Sequence, residues 1–172
     1  DTDDLLELQQ SRFLQLCKRR ADGEPLAYIV GHKEFFGLKL QVDPRVLVPR
    51  PDTETLVEWA LELLNCHPGP GSSPGFQHPG STVANPHVAW IADQVRNDSL
   101  VPRVIDLGTG SGAIALAIKK ALPQADVQAT DASPDALDVA RENARRLSLQ
   151  VEFRQASWLA DSEGRYDLIV SN

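Results

Sequence analysis

The sequence predicts an α/β fold in which helices pack against a parallel sheet. Four strand-like apolar runs, at 104–107, 126–130, 151–154 and 166–171, alternate with helical patterns at 113–122 and from Pro134 onward. This alternation is typical of βαβ units with right-handed crossovers. Such sheets bind ligands at the carboxyl ends of their strands. We therefore expect the functional groups to gather along one edge of this sheet.

A glycine-rich turn joins the first of these strands to its helix, with the sequence V-I-D-L-G-T-G-S-G at 104–112. Gly108 would allow a sharp turn, and Gly110 would let a ligand approach the backbone without a Cβ in the way. Gly112 would let the helix start close to the strand. The N–H groups at a helix N-terminus suit a polar or anionic ligand.

The glycines alone do not identify that ligand. Gly108, Gly110 and Ala113 also satisfy the dinucleotide pattern G-x-G-x-x-G/A. Asp106 favours a different ligand, because an acid at this position can accept hydrogen bonds from the ammonium of an amino-acid moiety. S-adenosylmethionine has such an ammonium and NAD does not. A glycine-rich turn without any ligand is the remaining alternative.

Three further residues follow other predicted strands at the same edge. Asp131 comes at the end of the second strand, where a carboxylate can hold both hydroxyls of a ribose, whether from S-adenosylmethionine or from NAD. Trp158 follows the third strand, where it would either lie against an adenine or pack in the core. Asn172 ends the fourth strand, a position where Asn is most often a turn former.

The segment before the glycine loop predicts helices and a hairpin. Residues 2–20 have helical periodicity and residues 25–30 a short helical turn, while 34–42 alternate apolar and polar residues as a half-buried strand does. Turn residues at 43–45 and the apolar run 46–48 predict the return strand of a β-hairpin. A helix follows, with Asp52 or Thr53 as its N-cap, and the segment 49–54 holds more prolines and charges than capping requires.

Composition excludes several classes of protein. The net charge is −7, which disfavours nonspecific binding to a nucleic-acid backbone. No apolar stretch approaches the roughly 20 residues of a membrane helix. Cys66, His67, His78 and His87 match no zinc-binding spacing, and residues 66–86 are expected to form a flexible insert rich in Pro, Gly and Ser. Two cysteines make no disulfide framework, so we expect a cytoplasmic protein. From the two preceding observations we expect that it binds no metal and no membrane.

The motifs together resemble one family. V-I-D-L-G-T-G-S-G-A-I-A, P-R-P-D-T-E at 49–54, the preceding hairpin, Asp131-Ala132-Ser133 and D-L-I-V-S-N at 167–172 are similar to the release factor glutamine N5-methyltransferases of the HemK/PrmC type. The resemblance implies a Rossmann-like class I S-adenosylmethionine-dependent methyltransferase sheet. It also implies domains at 1–32 (the end of a helical substrate-recognition domain), 33–50 (the hairpin linker) and 51–172, with an insert at about 66–100.

The resemblance also implies a mechanism and a partner. The methyl acceptor would be the glutamine of the Gly-Gly-Gln loop of a class I peptide chain release factor, and no direct nucleic-acid contact is expected. Asn172 would be catalytic and would hold the substrate amide, with Arg50 and Glu54 shaping the substrate pocket or bracing the motif. The implied cofactor-binding residues are Asp106, Gly108, Thr109, Gly110, Ser111, Gly112, Asp131 and Trp158. The family often has Asp where this chain has Ser157, which weakens the expected adenine-side hydrogen bond.

Three alternatives remain open. The chain could belong to an enzyme that methylates a glutamine of a ribosomal protein, or to an adenine-N6 DNA methyltransferase, since an adenine amine poses the same geometric problem as an amide. Because the first residue is Asp1 and the last is Asn172, at the end of a strand-like run, we expect a piece of a longer protein. Such a piece could also be a noncatalytic module that binds a nucleoside without turnover.

Overall fold

The computed structural model describes residues 2–65, 101–158 and 165–172. The predicted insert, with its cysteine and histidines, lies outside the described residues. Within them, no helix is both long and apolar enough to cross a membrane.

Two helices form the N-terminal segment, as the periodicity predicts. Helix α1 spans Thr2–Ala21 and helix α2 spans Leu26–Val30. Gly23, with a φ of 93°, follows the end of α1. Three large apolar side chains in the described part of α1 are mostly exposed: Leu8 at 68%, Phe13 at 65% and Leu14 at 60%.

The hairpin is shorter than the sequence predicted, and it turns earlier. Strand β1 spans His32–Phe35 and pairs antiparallel with β2, Leu38–Gln41. The turn lies at Phe36-Gly37, where both residues have positive φ, 49° and 67°. The long strand predicted over 34–42 is therefore both arms of the hairpin. The period-two pattern does not detect this turn, because Phe36 continues the apolar alternation through it.

The predicted return strand at 46–48 is wrong. Residues 43–45 do form a turn, in which the Asp43 carboxylate accepts from the Arg45 backbone N–H, but no strand follows it. Instead, Val46 is buried and its carbonyl accepts a hydrogen bond of 2.6 Å from the Tyr28 hydroxyl. This contact fixes the segment against α2 before helix α3, Thr53–Asn65, begins.

The central sheet has four parallel strands in the order β5-β4-β3-β6. Its strands are β3 (Arg103–Leu107), β4 (Asp126–Asp131), β5 (Glu152–Gln155) and β6 (Leu168–Ser171), and its helices are α4 (Ala113–Ala121) and α5 (Pro134–Leu147). Residues 113–118 of α4 are all buried, as their apolar sequence predicts. Ser133 caps α5, since its hydroxyl accepts from the Ala136 N–H at 3.2 Å.

One hydrophobic core joins the hairpin to the sheet. Buried side chains of both hairpin strands, of α3 and of α4 belong to the same cluster as those of β3 and β4, among them Phe35, Leu40, Val57, Val104, Leu116 and Ala129. The hairpin is thus packed on the sheet domain, and this packing sets where helix α3 begins relative to the sheet edge.

Candidate functional site

The strand register brings three predicted site residues together at the carboxyl edge of the sheet. β3 lies between β4 and β6, and Leu107 pairs with Thr130 on one side and Ser171 on the other. Gly108 therefore has Asp131 beside it on one neighbouring strand and Asn172 on the other. Neighbouring strands lie about 4.8 Å apart. The glycine loop is flanked by a carboxylate and a carboxamide.

The Asp106 carboxylate lies inside the fold and anchors the loop. Its Oδ2 accepts hydrogen bonds from the Thr109 hydroxyl at 2.6 Å and from the Ala115 N–H at 3.2 Å. Because Ala115 is in the first turn of α4, the carboxylate caps that helix, where negative charge is favoured. Asp106 is 1% exposed, so a direct contact with a ligand requires the loop to open locally. Otherwise this carboxylate acts through the loop that it anchors.

One oxygen of this carboxylate has no partner. Among the buried side-chain oxygen and nitrogen atoms of the described residues, Asp106 Oδ1 is the one without a hydrogen-bond partner. Burial is the main cause that raises the pKa of Asp106 to about 6, against the opposing effect of the Thr109 and Ala115 hydrogen bonds. A buried unpaired acceptor costs free energy, and a cationic donor would relieve that cost.

Most N–H groups of the glycine loop are bound within the protein, which the sequence did not indicate. The amides of Gly108 and Thr109 both donate to the Thr130 carbonyl at 2.9 Å. The Gly110 amide donates to Asp131 Oδ2, also at 2.9 Å, and the Gly112 amide donates to the Thr109 carbonyl. Of these five amides, only that of Ser111 has no such bond, so most N–H groups within 108–112 are already paired inside the protein.

The three loop glycines differ in what surrounds them. All have positive φ, and a Cβ on Gly108 or Gly110 would meet no described atom within 4 Å. A Cβ on Gly112 would lie 3.0 Å from Leu116 Cδ1 and 3.3 Å from Ala140 Cβ. A Cβ on Gly112 would therefore be crowded by α5 and by its own helix, whereas the other two glycines border open space.

Asp131 holds the rim in place. Besides its bond to the Gly110 amide, its Oδ1 accepts from the Ser133 N–H at 2.9 Å. Each carboxylate oxygen can accept a second hydrogen bond, so this arrangement leaves acceptor capacity for hydroxyl groups. The carboxylate is thus oriented by the backbone on both sides of it.

Trp158 is an exposed aromatic ring next to this rim. It is 71% exposed and has a φ of 57°, a region that non-glycine residues rarely occupy. The alternative that it packs in the core is therefore excluded. Its carbonyl lies 3.5 Å from the Thr130 hydroxyl, which ties the backbone there to the end of β4.

Asn172 contacts a residue that the sequence analysis did not assign to the site. Its Nδ2 donates to the Thr53 hydroxyl at 2.6 Å, across 119 positions of sequence. Thr53 is 9% exposed and is the first residue of α3, within P-R-P-D-T-E. The motif itself was the available signal, but the sequence pattern predicted Thr53 only as a helix cap.

Arg50 and Glu54 lie on either side of Thr53 and differ in their contacts. Glu54 Oε1 accepts from the Phe36 N–H at 3.0 Å, which stabilises the hairpin turn. This contact joins the P-R-P-D-T-E segment to the hairpin. Arg50 is exposed, and its carbonyl accepts from the Thr53 N–H at the start of α3.

Asn143 is a second residue that sequence reasoning missed. It is 1% exposed on α5, and its side chain pairs with both the N–H and the carbonyl of Gln41 at 2.6 and 3.0 Å. Its Nδ2 also donates to the Ser111 carbonyl at 2.9 Å. This one amide therefore joins the hairpin, α5 and the glycine loop. An Asn within a helical pattern gives no sequence signal for such a role.

The residues present fit a nucleoside that carries a cationic amino-acid arm. The open space over Gly108 and Gly110 and the exposed Trp158 ring supply a backbone surface and an aromatic face. The unpaired Asp106 oxygen would supply an acceptor once the loop opens locally, because it is buried as the loop stands. The described residues contain no group of three or more His, Cys, Asp or Glu side chains that could hold a metal ion.

Comparison with known folds supports the architecture. The chain resembles Pyrococcus abyssi tRNA (uracil-54, C5)-methyltransferase, solved with S-adenosyl-L-homocysteine, at a TM-score of 0.51 and 15% identity over 80% of this chain and 26% of that one. It also resembles the N-terminal domain of human METTL16, solved with SAH, at a TM-score of 0.50 and 20% identity over 79% of this chain and 46% of that one. At these identities the likeness shows the fold, which is that of a class I methyltransferase.

Comparison with known sequences identifies the family. The methyltransferase small domain profile matches residues 90–172, and the PrmC N-terminal domain profile matches residues 1–31. The release factor glutamine methyltransferase of Bordetella pertussis is 40% identical over 100% of this chain and 53% of its own length. The Koribacter versatilis protein of the same name is 41% identical over 95% of this chain and 48% of its own length. The chain thus spans about half the length of the curated relatives it matches, and it belongs to the release factor glutamine methyltransferase family.

Proposed function

We propose that this chain carries the methyl-transfer site of an enzyme that methylates the glutamine of the Gly-Gly-Gln loop in class I peptide chain release factors. The observation that carries this proposal is the adjacency of the glycine loop and Asn172 on neighbouring parallel strands, with Leu107 paired to Ser171. A cofactor surface and an amide-binding group at one edge are what methyl transfer to a carboxamide requires.

The proposed cofactor is S-adenosylmethionine, which supplies an electrophilic methyl group on a positively charged sulfur. The residues proposed to hold it lie along the loop and its rim: Asp106, Gly108, Thr109, Gly110, Ser111, Gly112, Asp131 and Trp158. Asp106 would favour the ammonium, directly or by fixing the loop, and Asp131 would accept from the ribose hydroxyls. The open space over Gly110 and the exposed Trp158 ring support this assignment.

Asn172 is proposed to hold the substrate amide. A carboxamide nitrogen is a poor nucleophile, because its lone pair is delocalised into the carbonyl group. An acceptor aimed at the NH2 would orient the nitrogen and stabilise the positive charge that develops on it as the methyl group leaves the sulfur and bonds to the nitrogen. S-adenosylhomocysteine would be the leaving group, and the nitrogen would release one proton to solvent to give the neutral N-methyl amide. The Asn172 Oδ1 is such an acceptor, and its Nδ2 is bound to Thr53.

The family and the relatives' names support the choice of substrate. The relatives are release factor glutamine methyltransferases of about 40% identity, and the proposed substrate is therefore a release factor. Residues 1–32 are proposed to help bind the release factor, and residues 33–50 to link this segment to the catalytic domain at 51–172. Arg50 is proposed to lie beside the substrate pocket. The proposed compartment is the cytoplasm, where release factors act in translation.

The decisive experiment compares acceptors. The full-length polypeptide is incubated with methyl-labelled S-adenosylmethionine and a class I release factor, the same factor with Gly-Gly-Glu in place of Gly-Gly-Gln, a ribosomal protein fraction, or DNA. We expect label in the intact factor alone. Label in ribosomal protein or DNA, with none in the factor, would replace the proposal by the corresponding alternative.

A second measurement separates catalysis from binding alone. Calorimetry with S-adenosylhomocysteine reports the cofactor site whether or not methyl transfer occurs. Asn172→Ala should retain this binding and lose at least about a hundredfold in kcat, as removal of one aimed polar group does in other enzymes. Binding of S-adenosylhomocysteine without label in any acceptor would instead indicate a noncatalytic module.

A further inference from the structure

The contact between Thr53 and Asn172 bears on how the amide-binding group is oriented. An asparagine side chain presents an acceptor oxygen on one side and a donor NH2 on the other. Only the oxygen can accept from a substrate NH2, and a flipped amide would place two donors face to face. The Nδ2 of Asn172 donates to Thr53 Oγ1 at 2.6 Å. A threonine hydroxyl can either accept or donate, and here it accepts from Nδ2, so the Asn172 oxygen is left for another donor.

We infer that Thr53 is a positioning residue of the acceptor site, whose hydroxyl holds the Asn172 side chain with its oxygen turned toward the substrate amide. This inference rests on the proposed role of Asn172. It adds a residue to the site and gives a physical reason for a threonine in P-R-P-D-T-E.

The Thr53 hydroxyl is well fixed for this role. The residue is 9% exposed, and its N–H donates to the Arg50 carbonyl at 3.1 Å where α3 begins. A β-branched side chain in a helix has few accessible rotamers. The next residue, Glu54, holds the hairpin turn through the Phe36 amide. The start of α3 is therefore anchored to the hairpin on one side while it contacts the end of β6 on the other.

Three variants of the full-length enzyme test the inference. Thr53→Val keeps the shape and removes the hydroxyl, Thr53→Ser keeps the hydroxyl, and Thr55→Val removes an exposed threonine hydroxyl from the same helix. With release factor as substrate, we expect Thr53→Val to lower kcat about tenfold, a change of about 1.4 kcal/mol in the barrier. The affinity for S-adenosylhomocysteine and the KM should stay within about twofold. Thr53→Ser should restore most of the rate, and Thr55→Val should behave as the wild type.

A double-mutant cycle with Asn172→Ala separates positioning from general packing. If Thr53 acts through Asn172, Thr53→Val should have no further effect on kcat once Asn172 is alanine. An equal loss in both backgrounds, or a parallel loss of S-adenosylhomocysteine affinity and melting temperature, would overturn the inference. A wild-type rate for Thr53→Val would overturn it as well, while release factor methylation by the wild type would leave the proposed function standing.

Discussion

The buried Asp106 carboxylate should make the stability of the fold depend on pH in an unusual direction. Its pKa is raised by burial to about 6, against an ordinary value of 3.8. Between these two pH values the folded state holds a proton that the unfolded state has released. Stability therefore falls as pH rises through this window, which is opposite to the behaviour of a carboxylate in a salt bridge.

The size of the effect follows from the two pKa values. The values differ by about 2.2, and at 1.36 kcal/mol for each pH unit the lost stability amounts to about 3 kcal/mol. The full amount is present below pH 3.8 and absent above pH 6. Asp106→Asn keeps the shape and the acceptor for Thr109 but cannot ionise, so it should not show this loss.

Urea unfolding of the wild type and Asp106→Asn between pH 4 and pH 7.5 measures the difference. Asp138→Asn, which removes an exposed carboxylate from α5, controls for the loss of a charge alone. We expect the free energy of unfolding of the wild type to fall by about 2–3 kcal/mol more than that of Asp106→Asn. Parallel pH profiles for these two proteins would refute the assignment of a destabilising buried charge to Asp106.

Three other predictions concern the same edge of the sheet. Binding of S-adenosylhomocysteine, measured by calorimetry, should weaken below about pH 6 by up to tenfold per pH unit, and Asp106→Asn should remove that dependence. Asn143→Ala should lower the free energy of unfolding by about 3 kcal/mol, because it leaves backbone groups of the hairpin and the loop unpaired. The control Gln155→Ala loses one exposed hydrogen bond and should lower it by less than about 0.5 kcal/mol. Gly112→Ala should lower the free energy of unfolding by about 2 kcal/mol more than Gly110→Ala, because of the two added Cβ atoms only the one at position 112 would meet atoms at 3.0 and 3.3 Å. Equal losses, measured by chemical unfolding, would show that backbone conformation alone matters at these positions.

The sequence predicted the sheet domain well because its signals are local. Apolar runs and the glycine loop depend on neighbours a few residues away, and the strands and helices from Arg103 onward lie where these patterns indicate. The hairpin was predicted less well. Its turn at Phe36-Gly37 is stabilised by the Glu54 carboxylate from a helix 18 residues later, so local periodicity carried no sign of it.

By itself, the sequence determined the fold class, the glycine loop and the family, since residue types and spacings are enough for these. Only the tertiary structure decided which groups meet at the loop. The pairing of Thr53 with Asn172, the Asn143 bridge and the binding of most loop amides within the protein all join residues distant in the chain. Such contacts depend on strand register and helix packing, which fix positions in space that no local pattern of residues encodes.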